Sequence, residues 1–273
     1  MTVRKTRRFA STSRTRYVAV VGAVVATLFI GLPLIGLLQR TPWSDFVNQL
    51  RAPAASTALR LSLATSLSAA LCTIVLGTPL AWVLARHRFP GQRLVRAIIT
   101  VPLVLPPVVA GVALLAVFGR SNGIIGRALF DVAGIQLTFS PIGVIVAETF
   151  VALPFFVLAA EAGIAGVDRR FEHVATTLGA TPSYTAVAVT LRLAAPALGA
   201  GAIVAWARAL GEFGATITFA GNIEGRTQTL PLAVYLLLES DPQAAFALSV
   251  VLIAVAVAVL VVLRGRYLGG KRP

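Results

Sequence analysis

Six long apolar stretches, separated by short polar segments, dominate the pattern of hydrophobic and polar positions along the chain. Each stretch is close to or above the roughly 20 residues that an α-helix needs to cross the hydrocarbon core of a bilayer. The pattern therefore predicts an all-α, polytopic membrane protein with six transmembrane helices. These predicted helices occupy residues 17–38, 57–85, 94–118, 140–160, 193–220 and 244–263.

The composition points the same way. Of the 273 residues, 57% are hydrophobic and only 12% are charged, which is more apolar surface than a soluble domain of this length could bury. The first stretch follows a basic leader, but its apolar run is too long for a secretory signal and no small-residue cleavage pattern follows, so we expect a retained anchor. The expected organisation is a basic tail (1–16), a first helix with an external segment (17–56), a transmembrane core (57–263) and a second tail (264–273).

A net charge of +14 would suggest nucleic acid binding in a soluble protein, but the placement of the basic residues indicates an orientation in the membrane. Most Lys and Arg residues lie before the first stretch, between the second and third, within residues 168–196 and after the last stretch. Basic residues accumulate in cytoplasmic loops. The distribution therefore predicts that both termini and residues 168–196 are cytoplasmic, with the lipid bilayer and not nucleic acid as the partner.

The polar segment 168–196, here called the elbow, carries signals for two helices that meet at a turn. Asp168 suits the N-cap of a helix that ends before Gly179, and Thr181 followed by Pro182 suits the N-cap and first position of the next helix. In the first helix the apolar residues recur at helical spacing and share one face, whereas Arg169, Arg170, Glu172 and His173 occupy the other sides. The apolar residues are Phe171, Val174, Ala175 and Leu178. Two alternatives follow: this face packs on the protein's own helix ends, or it docks a partner.

Polar residues and prolines inside the apolar stretches are the candidates for a translocation pathway. The third stretch contains Pro102, Pro106 and Pro107, and the irregular backbone that proline causes survives in a membrane only against protein or a water-filled cavity. A kinked helix satisfied by its neighbours is the alternative.

Three charged residues inside the fourth and fifth stretches are further pathway candidates. Glu148 lies near the middle of the fourth stretch and is interpreted as a polar residue of the bundle interior. Arg208 and Glu212 are four residues apart on one face of the fifth stretch, so they can form an ion pair. A structural ion pair that locks two helices is the alternative to substrate contact.

The elbow resembles the cytoplasmic signature loop of bacterial ABC importer permeases, which reads Glu-Ala-Ala, three residues and Gly, with an Ile-x-Leu-Pro pattern further on. Ala175, Gly179, Val189 and Leu191 fit that spacing. His173 stands where Glu is usual, Val174 replaces the first Ala and Arg192 replaces the Pro. The resemblance implies that the elbow couples the chain to an ATPase subunit. The residues implied to form this contact are Phe171, Glu172, His173, Val174, Ala175, Leu178 and Gly179.

Three further stretches extend the resemblance over most of the chain. TPLAWVLARHRFPGQRLVRAIITVPLVLPPVVAGVALL and the GEFG motif look like the molybdate and sulfate permeases, and GNIEGRTQTLPLAVY looks most like the molybdate permeases. The resemblance implies a type I ABC importer permease in the bacterial inner membrane. It also implies three partners: a second copy of the chain, ABC ATPase subunits and an external molybdate-binding protein. Sulfate, thiosulfate or tungstate are the alternative substrates.

The sequence carries no recognisable motif for catalysis, metal binding or a cofactor. The two histidines, His87 and His173, form no HExxH or Ser-His-Asp pattern, Cys72 has no partner, and neither Lys5 nor Lys271 lies in a phosphate-binding loop. We therefore expect no catalytic residue, metal or cofactor, and ATP hydrolysis by a separate subunit. A secondary anion transporter, which would show inverted repeats, and a membrane-embedded enzyme are the alternative classes.

Overall fold

The computed structural model describes residues 13–263, and every regular element in that range is helical. The predicted tail 264–273 and residues 1–12 of the predicted tail 1–16 lie outside the described residues. The helices are α1 (Ser13–Arg40), α2 (Phe46–Arg51), α3 (Pro53–Arg86), α4 (Gln92–Val104), α5 (Pro107–Phe118), α6 (Gly126–Ala133), α7 (Pro141–Ala165), α8 (Arg169–Thr177), α9 (Pro182–Tyr184), a π-helical stretch (Thr185–Leu191), α10 (Arg192–Leu210), α11 (Gly214–Ala220), α12 (Leu230–Ser240) and α13 (Pro242–Leu263).

Among residues 13–263, five helical segments are long and apolar enough to cross a membrane: Arg16–Arg40, Pro53–Arg86, Pro141–Ala165, Pro182–Leu210 and Pro242–Val259. They coincide with five of the six predicted spans, and the all-α prediction is confirmed. The segment Pro182–Leu210 joins α9, the π-helical stretch and α10, so it begins well before the predicted start at residue 193.

The predicted single helix over residues 94–118 is wrong, because the chain forms two helices there. Helix α4 ends at Val104, Leu105 and Pro106 adopt extended backbone with ψ of 133° and 134°, and α5 begins at Pro107. Proline supplies no N–H for the helical ladder, and two in succession end a helix where one alone can be tolerated. Pro102, which stands alone, lies inside α4.

The predicted helix over residues 193–220 is also interrupted. Helix α10 ends at Leu210, and α11 begins at Gly214 after a short turn. Helix α12 was not predicted, because its apolar run is too short to span a bilayer and reads as a continuation of the preceding loop. It packs against α3 and α13.

Helices α3, α7 and α10 form the centre of the bundle, and their contact surfaces consist mainly of small residues. Ala69, Ala152 and Ala205 are fully buried in this core. A Cβ atom added to Gly77 would lie 2.5 Å from the Phe156 ring, so the ring fits because that position has no side chain. Small residues let membrane helices approach closely where no hydrophobic effect drives their association.

Helices α5 and α11 form a second pair that packs on α7. The pair is close enough that a Cβ atom on Gly111 would lie 2.5 Å from Thr218 Cβ, and one on Gly214 would lie 2.6 Å from Pro107 Cβ. Helix α1 stands apart: it lies against α13 and exposes almost all the side chains of residues 16–40.

Candidate functional site

The elbow forms the two helices that the sequence predicts. Asp168 caps α8 by accepting a hydrogen bond from the backbone N–H of Arg170 at 2.9 Å. At the other end Gly179 has a φ of +88°, and the N–H of Ala180 donates to the carbonyl of Ala175 at 3.0 Å. This is a Schellman ending, which needs a left-handed residue at the position of Gly179. The side chain of Thr181 then caps the next helix by accepting from Tyr184 N–H.

The apolar face of α8 is exposed. Phe171 is 55%, Val174 is 57% and Leu178 is 83% exposed, whereas Ala175 is half-buried. The rest of the chain, as far as residues 13–263 show it, leaves this face uncovered. Within these residues the face therefore does not pack on the protein's own helix ends. His173 and Gly179 are exposed on the same short element.

Glu172, in contrast, points into the protein. Its carboxylate accepts from the Arg86 guanidinium at 2.7 Å and from the Thr190 hydroxyl at 2.7 Å. The same guanidinium donates to the carbonyl of Val167 at 3.2 Å. We call this set the elbow clamp, because it joins α8 to the end of α3 and to the start of the long helix Pro182–Leu210. Sequence reasoning treated Arg86 only as one of several cytoplasmic basic residues, since its partner lies 86 positions further on.

A polar stripe on α3 connects that helix to three others. Ser62 accepts from the backbone N–H of Leu230 at 2.6 Å, Thr65 donates to Glu148 at 3.1 Å, and Ser66 accepts from the Trp206 indole at 3.1 Å. Spacings of three and four residues place the three hydroxyls on one helix face. Sequence reasoning missed this stripe, although that spacing of Ser and Thr in an apolar helix was the available signal.

Glu148 is only 1% exposed. One carboxylate oxygen accepts from Thr65, and the other is buried with no hydrogen-bond partner in the described part of the chain. The residue is therefore an interior polar group of the bundle.

Arg208 and Glu212 form the ion pair that their spacing predicts, with 2.6 Å between the guanidinium and the carboxylate. Glu212 is 1% exposed and its second oxygen accepts from Ala215 N–H at 2.8 Å. The carboxylate thus joins the end of α10 to the first turn of α11 across the interruption. We call residues 208–214 the charged break.

The other pathway candidates lie at different distances from the charged break. Pro107 contacts Gly214 directly, so the start of α5 faces the break. Pro106 is exposed next to it, and Pro102 lies one turn earlier on α4, away from this contact. Glu148 lies beside Ala147, which shares a hydrophobic cluster with Ala215 and Phe219.

The end of the loop between α11 and α12 consists of buried polar residues. Ile223 N–H donates to the Thr227 hydroxyl at 2.9 Å, and the Ile223 carbonyl accepts from Thr227 and Gln228. Thr227, Gln228 and Thr229 are buried.

Within residues 13–263 no group of three or more His, Cys, Asp or Glu residues is arranged to hold a metal ion.

Comparisons with known proteins agree on the class of this chain. The sequence profile of the family described as "Binding-protein-dependent transport system inner membrane component" matches residues 77–268. The "Molybdenum transport system permease protein ModB" of Mycobacterium tuberculosis is 45% identical over 238 residues, which cover 87% of this chain and 89% of the relative. The "Sulfate transport system permease protein CysT" of Escherichia coli is 35% identical over 239 residues, 85% of each chain.

The fold agrees with a solved structure as well. A chain of a bacterial ABC transporter "involved in the import of the acidic polysaccharide alginate" superposes with a TM-score of 0.74 at 19% identity, covering 93% of this chain and 96% of that one. The predicted fold class, that of an all-α ABC importer permease, is therefore confirmed. The chain belongs to the family of binding-protein-dependent transport system inner membrane components, multi-pass permeases of the bacterial inner membrane.

Proposed function

We propose that this chain is the permease subunit of an ATP-driven importer of molybdate. Two copies enclose the pathway, a pair of ATPase subunits docks on the two elbows, and an external binding protein delivers the anion. The single observation that carries the coupling role is the elbow itself, whose apolar face is exposed while the opposite side of α8 is fixed to the protein by the Glu172–Arg86 ion pair.

The elbow is suited to pass on a movement. A partner that covers Phe171, Val174 and Leu178 would bury the exposed parts of three large apolar side chains, each contributing at most roughly 1.5–3 kcal/mol. A displacement of α8 would then pull on α3 through Arg86 and on the long helix Pro182–Leu210 through Thr190, because Glu172 holds both. Ala175 and Gly179 complete this coupling surface, whereas His173, also a proposed coupling residue, lies on the other side of α8.

The long helix Pro182–Leu210 ends at the charged break, so the elbow and the break are the two ends of one element. We assign the pathway-facing residues to this region and to the adjacent start of α5. Arg208 is 29% exposed and provides a cation beside the path of a dianion, whereas the buried Glu212 and Glu148 hold the geometry. Pro102, Pro106 and Pro107 interrupt the neighbouring span.

The topology proposed here has six spans, the sixth being the broken pair α4 and α5, with both termini and the elbow in the cytoplasm. In a chain with Cys72 replaced by alanine, a cysteine at Asn122 should react with an impermeant reagent in intact cells and one at Arg88 should not; both native residues are exposed. The reverse labelling pattern would refute the orientation. In this proposal the partner subunit carries out all ATP hydrolysis.

Molybdate is proposed as the substrate because the molybdenum permease relative is more similar to this chain than the sulfate permease relative, 45% against 35% identity over comparable lengths. Tungstate, a dianion of the same shape, should enter by the same route. Deletion of the gene should lower cellular molybdenum at scarce external molybdate, with rescue at high molybdate through less specific uptake. If cellular molybdenum were unchanged and sulfate uptake collapsed, sulfate would replace molybdate as the proposed substrate.

A further inference from the structure

A cavity of about 310 Å³ lies between the end of α3 and the elbow. Helix α8 lines it with Arg169, Glu172, His173 and Thr176. At about 100° per residue, these four positions lie on the side of α8 opposite Phe171, Val174 and Leu178. The cavity is therefore a different surface from the exposed apolar face, and a partner bound on that face leaves it between α8 and the membrane helices.

Basic side chains make up part of the cavity wall. Arg86, His87, Arg169 and His173 contribute to its wall, and Glu172 is the one acidic residue there. The Glu172 carboxylate already accepts from Arg86 and Thr190, so its charge is neutralised within the elbow clamp. Pro182, where the long helix begins, also lines the wall, and the start of a helix carries a partial positive charge.

Two buried donors in this wall lack acceptors. The hydroxyl of Thr185 and the Nε of Arg86 have no hydrogen-bond partner among residues 13–263. Thr185 is 5% exposed, and the Arg86 side chain is 7% exposed. A buried polar group without a partner destabilises the fold, and more so when it is charged. Two such donors on one cavity, with two arginines in its wall, indicate a ligand that accepts hydrogen bonds and carries negative charge.

We propose that this cavity binds a small tetrahedral oxyanion of the phosphate, sulfate or molybdate class. Arg86 can donate from Nε to the anion while its Nη2 keeps the bond to Glu172, so one guanidinium joins the anion to the elbow clamp. Thr185 donates from the start of the long helix, and Arg169 adds a second cation from α8. A bound anion therefore ties α3, α8 and that helix together. The binding does not depend on the proposed transport of molybdate.

The test is isothermal titration of the full-length chain, co-purified with its ATPase in phosphatidylcholine nanodiscs, with sodium phosphate, sulfate and molybdate in turn. Saturable binding of at least one anion to the wild type is expected, weakened about tenfold or more by Thr185→Val, because this change removes the donor and keeps the shape. Arg86→Lys, which keeps the charge and lacks Nε, should weaken it as well.

The matched control is Thr176→Val, since Thr176 lines the same cavity but its hydroxyl already donates to the His173 carbonyl at 2.8 Å. It should bind as the wild type does, and Thr185→Ser should restore binding. The same titrations in nanodiscs that contain phosphatidylglycerol identify the source: loss of free-anion binding there means that a lipid phosphate occupies the site. No saturable binding in phosphatidylcholine, or equal affinity in the wild type and Thr185→Val, would overturn the proposal.

Discussion

The elbow and the charged break both contain an arginine–glutamate pair, but they arrange apolar and charged groups in opposite ways. At the elbow the pair is between helices and apolar side chains face outward, with Leu178 83% exposed. At the break the pair spans one interruption of a single chain segment, and Glu212 is 1% exposed in the middle of the bundle. An exposed apolar face next to a fixed charge indicates docking, whereas a buried charge at a helix interruption indicates a place where backbone groups need a partner.

The two pairs also differ in what their removal leaves behind. A buried charge that loses its partner is strongly destabilising, because nothing replaces its hydration. In the elbow clamp the carboxylate is 22% exposed, against 1% for Glu212, so water compensates more easily for its lost partner. The comparison therefore predicts a gradient of effects, from the buried break through the elbow clamp to the exposed face.

The largest effect on stability is expected for Glu212→Ala. The change removes the partner of Arg208 and the acceptor of Ala215 N–H at the start of α11. We expect the free energy of unfolding to fall by about 3 kcal/mol. This value is at the low end for buried ion pairs, because Arg208 is partly exposed. The measurement is folded yield and thermal melting in detergent.

The control for that prediction is the double change Arg208→Ala with Glu212→Ala. Each single change leaves one charge without its partner. The stability loss of the double variant should therefore be smaller than the sum of the losses of the two single variants. Strict additivity would mean that the two side chains do not interact.

A smaller effect is expected when the elbow clamp is opened. Glu172→Ala and Arg86→Ala should each destabilise the protein by about 2 kcal/mol, and a double-mutant cycle should show coupling within the range of 0.5–3 kcal/mol seen for residues in contact. The same variants should uncouple ATP hydrolysis from transport, because α8 would no longer be tied to α3. Full coupling in both single variants would remove the clamp from the mechanism.

Close packing at the break predicts a cost of about 1–2 kcal/mol for Gly214→Ala, because the added methyl group would collide with Pro107 and overpacking typically costs 1–3 kcal/mol. The matched control is Gly31→Ala in α1, where nothing lies within 4 Å of the added atom. Thermal melting of both variants tests this. Equal melting temperatures would show that α5 and α11 can separate without loss.

The smallest effect on stability is expected at the exposed face. Phe171→Asp and Leu178→Asp should change the free energy of unfolding by less than about 0.5 kcal/mol, as exposed substitutions usually do. Co-purification of the ATPase should nevertheless fall at least tenfold. Arg170→Asp, an exposed polar position on the same helix, is the control for the added charge. Retention of the ATPase by both apolar-face variants would contradict docking on this face.

Local signals allowed much of the elbow to be predicted from the sequence. Asp168, Gly179 and Thr181 act on backbone groups within a few residues of themselves, so their roles follow from spacing alone. The Arg208–Glu212 pair was predicted for the same reason. The hydrogen bond from Ala215 N–H to Glu212 was not predicted, because the sequence analysis expected a continuous helix through Gly211.

Long-range pairing explains what the sequence analysis missed. Arg86 meets Glu172, Ser62 meets Leu230 and Thr65 meets Glu148 only after three different helices pack together. No local pattern encodes those partners. The interruption at Leu105 has a local cause in two adjacent prolines, yet the apolar run through it reads as one span, because hydropathy does not register backbone geometry.

Uptake of molybdate by proteoliposomes tests the central claim most directly. The vesicles contain the chain with its ATPase, and the binding protein is supplied on the opposite side from ATP. The account predicts uptake that requires ATP, is competed by tungstate more strongly than by sulfate, and is lost in Leu178→Asp while its melting temperature stays at the wild-type value. Uptake that proceeds without the ATPase, or that is undiminished in Leu178→Asp, would contradict it.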